Sequence, residues 1–232
     1  MARSLFTGMP EALRSRLKFI VLLREPLSRD MSMYNHIRGM KANWGFCPET
    51  ESTRHGSNGY SRFLGENLKC RQSGSGCSAC MHKFFEYGHY AQHLKEWFSY
   101  FGRQQFFILQ SDALNVEAKK KRNVEEVLRK LGTFLEVQSH GVGDEWENYA
   151  HKRYQHEHNA EFYRGPQRAR IEHLTAEQCK TAASIFEAWN KELYALLSST
   201  QHDAPPSEPP FMKFLDPCVR AAGLPEMAEK AL

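Results

Sequence analysis

Long hydrophobic runs are missing from this 232-residue chain. The longest, Phe19 to Leu23, falls far short of the roughly 20 apolar residues that a helix needs to cross a bilayer. A transmembrane helix is therefore excluded. Charge of one sign is also scarce, the formal net charge being +4. A nucleic-acid-binding domain shows a strongly basic stripe, so no nucleic-acid partner is expected. The mild excess suits an anionic ligand. Met1 to Arg16 carries Arg3, Arg14 and Arg16 but no apolar stretch of the kind that drives secretion. Either the chain is cytoplasmic, with Met1 as its true start, or any targeting segment lies outside it. Aromatic residues are not scarce. At 12% aromatic and 41% hydrophobic, the chain is neither disordered nor too poor to build a core without disulfide staples.

Cysteine is sparse but clustered. Cys47, Cys70, Cys77 and Cys80 fall in one stretch with little apolar periodicity, whereas Cys179 and Cys218 stand alone. Three readings of the cluster stay open. Disulfides would staple a long loop. A zinc site needs four ligands, and Cys77-x-x-Cys80 has no second pair. Free thiols are the third.

The periodicities predict an α/β chain. Residues 18–23, KFIVLL, read as a buried parallel strand covered on both faces. Pro26 then suits the first turn of a helix over about 26–38, with Leu27, Met31 and Tyr34 on one stripe. Residues 39–81 hold much Gly, Ser, Asn and Cys and read as a long irregular excursion. Tyr87, Tyr90, Ala91, Leu94, Trp97, Phe98 and Phe101 recur at helical spacing, and Gly102 stops them. A second strand, 104–110, and an amphipathic helix over 122–131, ended by Gly132, come next. Residues 136–172 predict no regular element. Thr175 and Gln178 form a capping box for a helix reaching Leu197. Residues 198–210 read as a Pro/Ser linker and 211–232 as a tail.

Arg24 sits where the first strand ends, and ligands of open α/β sheets gather at that carboxyl edge. A guanidinium there can grip a phosphate through two hydrogen bonds. Ser32 lies two turns into the next helix, within reach of the same group. His151, His156 and His158 suggest a zinc cluster, but a second ligand pair is wanting, so no metal site is expected. Lys119 to Arg122 reads as a solvated face.

These residues resemble a family. LLREPLSRDMSMY is similar to the 3′-phosphate-binding element of sulfotransferases that use 3′-phosphoadenosine 5′-phosphosulfate (PAPS). Its marks are a hydrophobic strand, Arg24, Pro26, Arg29, Ser32 and Tyr34. Gly88, Tyr90, Ala91, Leu94, Trp97 and Phe101, followed by FFILQSDAL, resemble a second family stretch, with Asp112 replacing the usual Glu. FEAWNKELYALL resembles the closing helix, with Trp189 where His is common. The resemblance runs from about Leu17 to Leu197.

It implies a partial P-loop-like parallel sheet flanked by helices, with residues 1–197 as a partial sulfotransferase domain and 39–81 as its insertion. It implies PAPS as co-substrate without metal, a carbohydrate acceptor, and Arg24 and Ser32 on the 3′-phosphate. Tyr90 and Trp97 are expected to be core, and Arg164 could belong to a late cofactor loop. The chemistry implied is in-line transfer of a sulfonate to a hydroxyl or amine. Carbohydrate-directed members face the Golgi lumen.

One family element is missing. The 5′-phosphosulfate loop is a Lys/Gly/Thr-rich turn upstream of the arginine, and no residues before Arg24 form it. Lys180-Thr181 lies mid-helix and cannot replace it. The family's Glu or His base comes from that region too, so the catalytic residue is unknown. The chain therefore reads as the C-terminal part of such a domain, weak in cofactor binding and catalysis on its own. The rival is a non-catalytic binding or scaffold module that kept the fold. A third reading, a nucleic-acid-binding domain, would show steep salt dependence.

Overall fold

The computed structural model describes residues 8–39, 59–73, 85–114, 121–137, 174–206, 208–214 and 216–218. In chain order they form α1 (Glu11–Arg14), β1 (Phe19–Leu23), α2 (Pro26–Gly39), α3 (Gly59–Ser73), α4 (Tyr90–Phe98), β2 (Phe106–Gln110), α5 (Lys121–Leu135) and α6 (Ala176–Ser199). Short 3-10 turns precede and follow β2, and another follows α6. The fold is mixed α/β, with a small parallel sheet and flanking helices. The chain divides into two compact units. One holds Met1–Arg24, Tyr90–Lys152 and Asn190–Lys213; the other holds Glu25–His89, Arg153–Trp189 and Phe214–Leu232.

The first unit contains the sheet. β1 and β2 are parallel, with Phe19 opposite Phe106 and Leu23 opposite Gln110. Their β-branched and aromatic residues suit a pleated, packed surface. Phe19 packs on Trp97 at 5.4 Å, Phe101 at 4.7 Å and Phe106 at 4.8 Å, joining β1 to the α4 region. On the opposite face, Phe107 and Leu109 of β2 form a core with Val127 and Phe134 of α5. β2 is thus buried on both faces. β1 is not, because Ile20 and Leu22 remain 46% and 52% exposed. The expectation of a first strand covered on both faces is corrected: among the described residues α5 covers β2 and leaves that face of β1 open.

Gly132 does not end α5. The helix runs through it to Leu135, and Glu136 turns the chain with φ 58°. The Val137 N–H donates to the Gly132 carbonyl (3.0 Å), and the Glu136 N–H to that of Thr133 (3.2 Å). This Schellman closure normally recruits glycine. Here Lys18 supports it, donating to the Phe134 carbonyl (2.6 Å) and to Glu136 (2.7 Å). A cation at a helix C-terminus is favourable, which offsets part of the left-handed strain.

The second unit contains the larger helical core. Residues 39–81, expected to be irregular, carry α3, a 15-residue helix. Its buried residues Tyr60, Phe63, Leu64 and Leu68 follow helical spacing and meet Leu27 and Tyr34 of α2. Cys179, Ala182 and Phe186 of α6 complete this core. Burying each large side chain contributes roughly 1.5–3 kcal/mol. The capping box is present: Thr175 accepts from the Gln178 N–H and Gln178 from the Thr175 N–H, both at 3.1 Å. Gln178 also donates to the Ser61 carbonyl at 3.0 Å, tying α6 to α3. Gly88 lets the 85–89 turn approach α6, since a Cβ there would lie 2.7 Å from the Phe186 ring.

Candidate functional site

The site predicted from sequence begins at the carboxyl end of β1. Arg24 follows the strand and its side chain is exposed. Among the described residues, no hydrogen bond or ion pair engages its guanidinium. Its backbone is anchored, because the buried Tyr90 hydroxyl donates to the Arg24 carbonyl at 2.8 Å. Two of the sequence motifs therefore meet: the tyrosine expected to be simple core also fixes the chain at the arginine. Trp97 is partly buried against Phe19 and Phe101, as expected of a packing residue.

The second unit begins at Glu25, whose carboxylate caps α2. It accepts the Leu27 N–H at 2.9 Å and the Ser28 N–H at 2.7 Å. Pro26 has no N–H to offer, so it fits the first helical position. The cap occupies the amides that a helix N-terminus would otherwise present to an anion. An anion near α2 must then be met by side chains. Ser32 lies on α2 and is half-buried. Arg29 lies over the Tyr87 ring at 5.3 Å.

Sequence reasoning missed Asp30. It is completely buried, and Tyr60 of α3 donates to its Oδ2 at 2.9 Å. Its Oδ1 has no partner among the described residues. Burial is the main reason that its pKa rises from 3.8 to about 6; Tyr60 and Arg29 oppose the rise, and Glu25 adds to it. Burial and the nearby Asp30 charge push Tyr60 well above the ordinary phenol value, so it stays protonated. A carboxyl that binds its proton more tightly when folded stabilises the fold fully below its unfolded pKa. That contribution fades as pH rises through the folded value. The shift corresponds to about 3 kcal/mol. We expect stability to fall by that order between about pH 4 and pH 7 in wild type relative to Asp30→Asn. Denaturant unfolding at several pH values measures it, and parallel curves for the two proteins would contradict it.

Cys47, Cys77 and Cys80 lie outside the described residues, as do His151, His156, His158, Arg164 and Lys119. Cys70 lies in α3. The described disulfide joins Cys179 of α6 to Cys218. Nothing in their spacing, 39 positions apart, marks them as partners. Among the described residues, no group of His, Cys, Asp or Glu is arranged to hold a metal ion, and no helix is long and apolar enough to cross a membrane.

Residues 4–196 match the sulfotransferase domain family. The chain belongs to that family, whose general chemistry is PAPS-dependent transfer. No curated protein and no solved structure matches it.

Proposed function

We propose that this chain serves the transfer of a sulfonate from PAPS to a hydroxyl or amine of a carbohydrate acceptor, with Arg24 and Ser32 contributing to the 3′-phosphate site. The family match over residues 4–196 carries the reading. An exposed arginine, unpaired among the described residues at the carboxyl end of a parallel strand, supports it. The base takes the acceptor proton, the acceptor atom bonds to sulfur, and the bond from sulfur to the 5′-phosphate oxygen breaks. 3′-Phosphoadenosine 5′-phosphate then leaves. Catalysis of this kind rests on positioning and on stabilising the developing charge.

In this reading the phosphosulfate and the base are handled outside the three motifs, because no residues before Arg24 form a Lys/Gly/Thr-rich turn. The Cys179–Cys218 bridge is of a kind that persists in oxidising compartments, which supports a Golgi lumenal location.

Calorimetry with 3′-phosphoadenosine 5′-phosphate tests the assignment. We expect Arg24→Ala to weaken binding by roughly tenfold or more, since hydrogen bonds to charged groups contribute about 1.5–3 kcal/mol. Unchanged affinity in a folded variant would remove Arg24 from the site. No binding by the folded wild-type chain would remove the 3′-phosphate site from this chain as it stands.

A further inference from the structure

The second unit holds a buried titratable pair with no role in the chemistry above. We propose that Asp30 and Tyr60 form a proton-responsive latch between α2 and α3, which positions Ser32 and weakens anion binding when Asp30 is ionised. Asp30 is thus a positioning residue, and its role rests on the reading that Ser32 meets the 3′-phosphate.

Three observations carry the inference. Asp30 is fully buried, yet only one of its oxygens is satisfied, by the Tyr60 hydroxyl at 2.9 Å. A carboxylate in that setting keeps an unsatisfied acceptor away from water, which penalises the ionised form. The charges around it act in opposite senses. Arg29 favours ionisation, Glu25 opposes it, and α3 contributes the neutral Tyr60. The residues that α6 adds to this core, Cys179, Ala182 and Phe186, bring no charge, and Cys179 is held in the disulfide. A single proton therefore decides the charge state near neutrality.

Finally, Ser32 follows Asp30 by two positions on the same helix. A carboxylate buried there is poorly screened and repels an arriving phosphate. The amides that would compensate are already taken by Glu25. Protonation removes the repulsion and leaves Tyr60 holding α3 against α2.

The test is calorimetric titration of the full chain with 3′-phosphoadenosine 5′-phosphate between about pH 5 and pH 8, for wild type and Asp30→Asn. Ligand phosphate titration is common to both proteins and cancels in the comparison. As pH rises, wild type should lose roughly threefold to tenfold in affinity relative to the variant. Identical profiles would overturn the latch and leave the cofactor reading intact. No binding by either folded protein would overturn the cofactor reading, and the latch with it. A second measurement needs only wild type. By reciprocity, the ligand must raise the midpoint of the Asp30 carboxyl titration, followed by carbon-13 resonance, by about half a unit to one unit. A midpoint indifferent to saturating ligand overturns the proposal whatever the variant does.

Discussion

Glu208→Ala should lower the folding stability of this chain by about 3–5 kcal/mol, read as an earlier urea midpoint at unchanged slope. Glu208 lies in the Pro/Ser stretch that sequence alone reads as a linker, yet its side chain is only 6% exposed, as is that of Arg103. The carboxylate accepts from Arg103 Nη2 at 2.8 Å and from the Ile108 N–H of β2 at 3.0 Å. Arg103 also donates to the Phe106 carbonyl at 2.9 Å and lies over the Phe98 ring. Glu208 thereby satisfies one of the groups that β2 does not pair with β1. Removing it strands a buried guanidinium and a strand amide together.

Burial raises the Glu208 pKa, against the lowering effects of Arg103 and Ile108. The ion pair is therefore costly to form as well as costly to break. Replacing both partners, Arg103→Met with Glu208→Leu, should recover most of the loss, short of the roughly 1 kcal/mol tied to the Ile108 amide. A loss below about 1 kcal/mol in Glu208→Ala would show that water replaces the carboxylate without penalty.

Removing the Cys179–Cys218 bridge should cost about 2–4 kcal/mol. The crosslink closes a loop between positions 39 apart, and its absence gives the unfolded chain freedom that folding must again withdraw. Cys179 is fully buried in the core with Phe186 and Leu64, so alanine is the better replacement there than serine. Cys179→Ala with Cys218→Ala, compared with wild type in and out of reductant, separates the crosslink from packing. Reductant should shift wild type toward the double variant, and by more than it shifts the variant, which keeps the four other cysteines. Wild-type unfolding that ignores reductant would contradict the bridge as a stabilising element.

The strands and most of the helices were legible because their signals are local. FIVLL and FFILQ are dense in β-branched and aromatic residues, and Thr175 with Gln178 states the start of α6. α3 was missed although Tyr60, Phe63, Leu64 and Leu68 keep helical spacing. Gly59, Gly65 and the polar residues between them mask that stripe. Gly132 misled because glycine usually supplies the left-handed residue at a helix end, and here Glu136 does so with help from Lys18.

At the site, Arg24 and Ser32 could be singled out by spacing. The Tyr90 hydroxyl on the Arg24 carbonyl and the Tyr60 hydroxyl on Asp30 could not. Both join residues far apart in sequence, and no local pattern records which distant tyrosine serves which oxygen. The carboxylate cap by Glu25 was readable in principle, since an acidic residue just before a helical proline is well placed for it.

The parallel pairing of β1 with β2 has a consequence for biosynthesis. The ribosome releases β1 well before its partner, with α2, α3 and α4 still to be made. Until β2 emerges, β1 lacks the strand it pairs with among the described residues, and even afterwards Ile20 and Leu22 stay exposed. Non-local pairings of this kind form slowly and leave sticky intermediates. Chaperone occupancy during translation should therefore concentrate on the nascent segment around Phe19 to Leu23.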